Sequence, residues 1–444
     1  MFLLYSFLYT ISFILISPIF LIKRKKYLAG LRQRFGHIPS LIQDGNPVIW
    51  LHCVSVGETN AARPLVDKIF ERFPNHRLVV STTTSTGQKL AQDIFGDRAD
   101  AIFYFPFDWR FTVRRALRKI EPSIVLIMET ELWFNFLREA YKMGAHIAIV
   151  NGRLSEKSVK RYFWIHRTMK HVLHYVELAL MQDYKSAKRL IQLGIVSNKV
   201  KVTGNIKFDQ ATKADEDGFT KTFRERFAIT GKAPLIVAAS THNPEEKIVL
   251  EALKEIWKDS KGQLPRLVIA PRHPERFGEV EKLIRETGFD WVRRTEEAST
   301  RDKIVEIILL DSIGELREVY PLADVVFVGG SLIPHGGQSI LEPAAYGKAI
   351  ATGFYTRNFE EIIKTFVEKK ALIQLPKLNE KDAVRELAGV FRNLIGNNDE
   401  RKKLASNALN LMKSSRGATD KTLENLLPYL ELKKKKAVTR DIIV

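Results

Sequence analysis

The chain of 444 residues carries 70 Lys and Arg against 51 Asp and Glu, a formal net charge of +19, and at roughly 100 to 200 residues per domain it holds two or three domains. A composition of 45% hydrophobic and 27% charged residues excludes a disordered chain, and a lone cysteine, Cys53, excludes a disulfide framework or a Cys-rich metal site and favours a reducing compartment. The excess of base fits nucleic acid, an anionic membrane surface or acidic small molecules, so the placement of the charges has to decide.

Met1 to Ile22 has no charged side chain, and at about 1.5 Å per residue it reaches about 33 Å as a helix, enough for a bilayer core. Lys23, Arg24, Lys25 and Lys26 follow, and Arg32 and Arg34 bring the basic residues within 23–34 to six. A secretory signal would place its charge first and a small-residue cleavage site after. The order here is the reverse, so 1–22 reads as a transmembrane signal-anchor helix in the inner membrane and 23–47 as a basic juxtamembrane segment against anionic lipid, with the rest of the chain cytoplasmic. A helix lying in the interface is the alternative, because Tyr5, Ser6, Tyr9, Thr10, Ser12, Ser17 and Pro18 dilute its apolarity.

From residue 48 short apolar runs alternate with longer amphipathic stretches, the pattern of βα units around a parallel sheet. The runs are Val48–Val54, Leu78–Ser81, Ile102–Phe105, Ser123–Met128, His146–Val150, Leu178–Met181 and Val200–Thr203. After a polar interval containing Lys213 to Asp217 they resume with Leu235–Ala239, Leu267–Ala270, Ile304–Leu310, Val325–Val328, Ala349–Thr352 and Leu372–Leu375. The chain thus reads as an α/β protein of two doubly wound, Rossmann-like domains, 48–207 and 234–430, joined by a linker with one short helix over 208–233. Residues 380–430 look helical, and a helix so late in the chain can pack back on the first half. Lys433 to Lys436 lie in a basic tail over 431–444, a solvated end or a second lipid contact.

Ligands of such folds bind beyond the carboxyl ends of the strands. After the first run, Ser55-Val56-Gly57-Glu58 turns into a helix, leaving Glu58 at its start, on the side of an inter-domain cleft. The carboxylate is either a general base for a hydroxyl or a helix cap. After the fourth, Glu129 and Glu131 share a side if the backbone stays extended, with capping again the competitor. Lys207, after the seventh, is suited to an anionic substrate or leaving group, although most lysines are solvated.

In the second half Ser240-Thr241-His242 and Pro271-Arg272-His273-Pro274-Glu275-Arg276 offer hydroxyl, imidazole and guanidinium groups to an anion. Gly329-Gly330-Ser331, then Gly336-Gly337-Gln338-Ser339 before a helix with Glu342 one turn in, suggest backbone amides for a phosphate and a carboxylate for ribose hydroxyls, against two ordinary glycine turns. Neither G-x-G-x-x-G after a strand nor G-x-x-x-x-G-K-[ST] occurs, which weakens dinucleotide and P-loop readings. There is no H-E-x-x-H, and the sole D-x-D, Asp215-Glu216-Asp217, falls in the linker, so metal-free nucleotide-sugar chemistry fits better.

Together these loops resemble the bacterial lipopolysaccharide Kdo transferases, which move 3-deoxy-D-manno-octulosonic acid (Kdo) from CMP-Kdo onto a lipid A precursor. The resemblance runs from the amino-terminal anchor to residue 430. It is carried by Leu51-His-Cys-Val-Ser-Val-Gly-Glu58, Ile127-Met-Glu-Thr-Glu-Leu-Trp133, Asn151-Gly-Arg-Leu-Ser155, Thr203-Gly-Asn-Ile-Lys-Phe-Asp209, Ser240-Thr-His242, Pro271-Arg-His-Pro-Glu-Arg276, and Gly329-Gly-Ser331 with Leu341-Glu-Pro343. Any one motif is weak, and seven in order are strong.

The resemblance implies a glycosyltransferase-B fold, with the acceptor on the first domain and the nucleotide on the second. It implies that Glu58 deprotonates the acceptor hydroxyl and that Glu129 and Lys207 stabilise the transition state. Pro271, Arg272, Ile313, Gly314, Glu315, Ser339, Ile340, Leu341 and Glu342 would hold CMP. The implied reaction is an inverting transfer to lipid IVA with no metal and no cofactor, CMP-Kdo being the donor substrate. Two departures are visible: Gln338-Ser339 where relatives often have His-Asn, which puts donor affinity in doubt, and Phe134 in place of a usual proline. The rivals are another membrane-associated glycosyltransferase of this fold with a different nucleotide sugar, and a tethered nucleic-acid binder. Arg114-Arg115, Arg118-Lys119 and Lys157 to Lys170 prompt the latter, but no recognition motif accompanies them, so no nucleic-acid partner is expected.

Overall fold

The computed structural model describes residues 1–22, 29–41, 44–210, 218–259 and 264–431, with backbone alone over 19–22 and at 259. Two compact units emerge, residues 1–210 with 416–444 and residues 211–415. The acidic run expected at 213–217, the lysines at 23–26 and the tail lysines lie outside the described residues.

The first unit is built on seven parallel strands, β1 Val48–His52, β2 Arg77–Thr82, β3 Ala101–Tyr104, β4 Ile124–Met128, β5 His146–Gly152, β6 Leu178–Met181 and β7 Val200–Val202, in the order β3-β2-β1-β4-β5-β6-β7. Helices cover both faces, so its central strands read as unbroken apolar runs rather than alternating ones. In β1 all five residues are buried. Trp50 goes to one face with Phe103 and Phe136, while Ile49 and Leu51 go to the other with Leu65, Ile69 and Leu126. Each such side chain contributes about 1.5–3 kcal/mol by leaving water, which makes the sheet the rigid base of the loops above it.

The second face is completed from the far end of the chain. The helix Ala418–Leu430 buries Leu426 and Leu430 in the Leu51 and Leu65 cluster. Its start is fixed by Asp209, which accepts from the Gly417 amide (2.8 Å), the Thr419 amide (2.6 Å) and the Thr419 hydroxyl (2.7 Å). The second domain therefore stops short of the residue 430 expected from sequence, and the last helix belongs to the first unit.

The helix Phe2–Ile22 also packs on this unit. Tyr5 donates to the buried Asp108 (2.8 Å), Asn135 donates to Ser6 (3.0 Å), Trp109 donates to Thr10 (2.8 Å), and Phe13 meets the Phe107 and Trp109 rings. The opposite face, including Leu3, Leu4, Phe7, Leu8, Ile14 and Leu15, is exposed. Among the described residues no helix is long and apolar enough to cross a membrane. Tyr5, Ser6, Tyr9 and Thr10, four of the residues that dilute the segment, face the domain, which is why a stretch read as a span is held against protein through Phe13. Arg34, counted with the lipid-facing charges, instead donates to the Thr83 carbonyl (2.7 Å) and lies over the Tyr104 ring.

The second unit repeats the pattern with β8 Leu235–Thr241, β9 Arg266–Pro271, β10 Trp291–Arg293, β11 Ile307–Leu309, β12 Val325–Val328, β13 Ala349–Thr352 and β14 Ile373–Gln374, all parallel, in the order β10-β11-β9-β8-β12-β13-β14. The helix Gly218–Arg226, read as part of a linker, is integral to this unit. Phe223 and Phe227 are buried, and Arg226 donates to Asp302 (2.6 Å).

Candidate active site

In the first unit the strand order reverses between β1 and β4, so the loops after these neighbouring strands diverge and leave a crevice at their carboxyl ends. Glu58 follows β1 and Glu129 follows β4. Glu58 lies in the first turn of the helix Val56–Arg72, where an acid suits the helix dipole, and accepts from the Val54 amide (2.7 Å) and the Ser55 hydroxyl (2.9 Å), so it ties the loop after β1 to the helix start. Burial first, and then the charge of Glu129, push its carboxyl up to about 8. A structural tie and a shifted proton affinity coexist in one side chain. Gly57, expected to permit a sharp turn, has no positive φ and is an ordinary helical residue.

Glu129 has a φ of 58°, a left-handed conformation costly outside glycine, in a turn right after β4. The backbone there is not extended, so the condition under which Glu129 and Glu131 would share a side is not met. The Glu129 carboxylate accepts from Lys207 Nζ (2.9 Å) on one oxygen and from Arg153 Nε (2.6 Å) on the other. Burial would raise its pKa, but the two cations outweigh burial and hold it below the usual carboxylate range. Glu131 has no such clamp, and burial followed by the Glu129 charge raises it.

The strand next to β4 supplies the rest of the frame. Asn151, at the end of β5, accepts from the Ile206 amide (3.0 Å) and so sets the loop that delivers Lys207. Two residues on, Arg153 reaches Glu129. The Asn151 to Ser155 motif includes Arg153 without assigning it a role; its place immediately beyond the end of β5, beside the strand of Glu129, was the available signal.

In the second unit the expected donor residues all follow strands of the one sheet: Pro271 and Arg272 at the end of β9, Ile313 to Glu315 after its neighbour β11, and Ser339 to Glu342 after β12, which β8 separates from β9. Ile313 is 81% exposed, Gly314 takes a φ of 91°, and Glu315 is held by Ser312 and Arg294. Glu342 lies in the short helix Leu341–Ala345, where burial raises its carboxyl.

The glycine loop differs from its sequence reading. The amides of Gly330 (2.6 Å), Ser331 (2.8 Å) and Leu332 (2.8 Å), expected to serve a phosphate, all donate to the buried carboxylate of Glu245, which also takes the His242 amide (2.9 Å). The Glu245 side chain therefore fills that nest. Gly329 permits it, since a Cβ there would lie 2.8 Å from Glu245 Oε2 and 2.7 Å from Thr241 Cα. Gln338, one of the departures, reaches His242 Nε2 (3.1 Å), and His242 packs on the His335 ring at 4.0 Å between centroids. Among the described residues no cluster of His, Cys, Asp or Glu is arranged to hold a metal ion.

The family model described as 3-deoxy-D-manno-octulosonic-acid transferase (kdotransferase) matches residues 29–210, the segment that carries Glu58, Glu129, Arg153 and Lys207. A 3-deoxy-D-manno-octulosonic acid transferase of Haemophilus influenzae is 32% identical over 96% of this chain and 99% of its own. The one of Chlamydophila psittaci is 29% identical over 96% and 97%. A solved glycosyltransferase of Rickettsia africae superposes with a TM-score of 0.52 over 87% of this chain and 98% of its own at 15% identity, a likeness of fold. With two parallel α/β units and full-length similarity of this degree, the chain belongs to the 3-deoxy-D-manno-octulosonic acid transferase family and is a glycosyltransferase.

Proposed function

We propose that this enzyme transfers Kdo from CMP-Kdo to a hydroxyl of a lipid A precursor, lipid IVA, in one inverting displacement. The observation that carries the reading is the pair of unlike carboxylates at the ends of adjacent strands: Glu58, buried with its affinity for a proton raised to about 8, and Glu129, held ionised by Lys207 and Arg153. A carboxyl whose pKa lies near the working pH is a competent general base. In its ionised form Glu58 takes the acceptor hydroxyl proton while the oxygen forms its bond to the anomeric carbon of Kdo. The bond from that carbon to phosphate breaks, and CMP departs with the electron pair. Glu129, as a fixed anion, stabilises positive charge growing at the anomeric centre, and Lys207 and Arg153 keep it from taking the proton itself. The reaction as drawn uses no metal and no cofactor.

In this reading the second domain holds CMP through Pro271, Arg272, the Ile313 to Glu315 loop and Ser339 to Glu342. The first domain holds the acceptor, and the exposed apolar face of Phe2–Ile22 lies in the interface of the anionic inner membrane on its cytoplasmic side. An interfacial seat is preferred to a span because a crossing helix would have to draw Asp108 and Trp109 with it. Incubation of the purified chain with CMP-Kdo and lipid IVA should release CMP and raise the acceptor mass by at least one Kdo. Absence of that product sinks the proposal, and stronger thermal protection by UDP than by CMP would redirect it to a different nucleotide sugar.

A further inference from the structure

The first unit carries a second exposed apolar feature, remote in sequence from its amino-terminal helix. The helix Glu156–Phe163 ends and the helix His166–His174 begins within three residues, and at that corner Phe163, Trp164 and Ile165 are 58%, 91% and 43% exposed. The corner is firmly supported. Met169, Val172 and Leu173 on the second helix are buried in the domain core, and Val159 and Tyr162 on the first pack against it. A rigid corner that leaves three large apolar side chains in water is explained only by something that covers them.

The surrounding charge selects the cover. Lys157, Lys160, Arg161, Arg167 and Lys170 are all exposed, against the single acid Glu156. Lys157, Lys160 and Arg161 line a shallow concavity with Trp164 as one wall and Glu156, paired with Lys160 (3.0 Å), as the one acid in it. By contrast, other basic residues of this domain are engaged internally: Arg114 with Glu139 (2.5 Å), Arg115 with the Phe35 carbonyl (3.0 Å) and Lys119 with the Ile38 carbonyl (2.8 Å). Apolar residues topped by tryptophan and ringed by lysine and arginine match the boundary between acyl chains and anionic headgroups. The corner's first helix begins three residues after Arg153, whose guanidinium reaches Glu129 (2.6 Å), and on that helix the charge of Glu131, after burial, raises the Tyr162 hydroxyl, so the corner is tied to the candidate site.

We propose that the Phe163-Trp164-Ile165 corner is a wedge that inserts into an anionic bilayer and seats the acceptor site of the first domain against the lipid surface. It rests on the reading of the acceptor as a membrane lipid.

The test uses the full chain, its Trp164→Phe variant, and vesicles of brominated phosphatidylcholine with or without phosphatidylglycerol. Bromine on the acyl chains quenches only tryptophan that reaches them, and the difference between the two proteins isolates the Trp164 emission. On vesicles containing phosphatidylglycerol that emission should fall by about half or more, with little change on phosphatidylcholine alone. Replacing Lys157, Lys160 and Arg161 together by Gln should restore most of it. Protein that sediments with the anionic vesicles while its Trp164 emission is unquenched overturns the proposal, as does quenching that persists undiminished in the triple variant or protein that fails to sediment. Kdo transfer to acceptor in detergent micelles is measured separately. Its absence counts against the proposed reaction and not against the wedge.

Discussion

Glu58 and Glu129 carry the same functional group at the ends of neighbouring strands, and their surroundings drive them to opposite protonation states near neutrality. Since the base must be ionised, kcat/KM should rise with pH along a limb near 8. Glu58→Gln should keep CMP binding, lose at least about a hundredfold in turnover and show no such limb. Glu129→Gln removes the charge that helps hold the proton on Glu58, so its residual activity should show the limb displaced toward lower pH. A limb that stays at about 8 would refute the coupling. The same shift has a stability sign. Glu58 keeps its proton to about pH 8 in the fold, whereas the unfolded chain releases it near 4.5, so the contribution is complete below about 4.5 and fades as pH rises to about 8. Thermal unfolding should therefore find Glu58→Gln gaining on the parent chain across that interval.

At the scale of elements, the loops are fixed by side chains far away in sequence. Glu245 organises the glycine loop some 85 residues later, with two amides on each of its oxygens. Glu245→Gln turns one acceptor into a donor facing two N–H groups. Donor KM should rise about tenfold with kcat at saturation changed far less, whereas simple loss of folded protein would lower kcat alone. Asp209→Ala should uncap the Ala418–Leu430 helix at a cost of about 0.5–2 kcal/mol and sensitise that segment to protease before the rest.

These two elements show what the sequence could and could not reveal. Strands such as β1 and β4 were legible because burial on both faces demands continuous apolar runs. β10 was not, because only Val292 of Trp291–Arg293 is buried and its flanks are charged. Ile304, read as the start of a strand, is 72% exposed, and β11 begins at Ile307. The positions of Glu58, Glu129 and Lys207 after strands were legible, but the Arg153 clamp and the filling of the glycine nest by Glu245 depend on contacts between distant segments that no local pattern records.

At the scale of the whole molecule, the charge of +19 separates into structural and free parts. Arg34, Arg114, Arg115 and Lys119 are engaged within the fold, while the cations around Trp164 are exposed to solvent, Lys160 among them in a surface ion pair with Glu156 (3.0 Å). Binding to anionic vesicles should accordingly weaken with salt, and most in the Lys157, Lys160 and Arg161 variant. A chain shortened to begin at residue 29 should lose stability as well as membrane affinity, because Asp108 and Trp109 lose Tyr5 and Thr10. Unchanged thermal unfolding of that shortened chain would refute the packing role of the amino-terminal helix.

The last helix has a consequence for the order in which the protein is made. The bed of Leu65, Ile69 and Leu126 lies in the first two hundred residues, yet the helix that closes over it emerges from the ribosome only after residues 211–415 have been made. The second domain is contiguous and can complete its fold first. The first domain must wait with the patch that Leu426 and Leu430 will cover still open, so during synthesis the half of the enzyme that bears Glu58 is the half most in need of protection from aggregation.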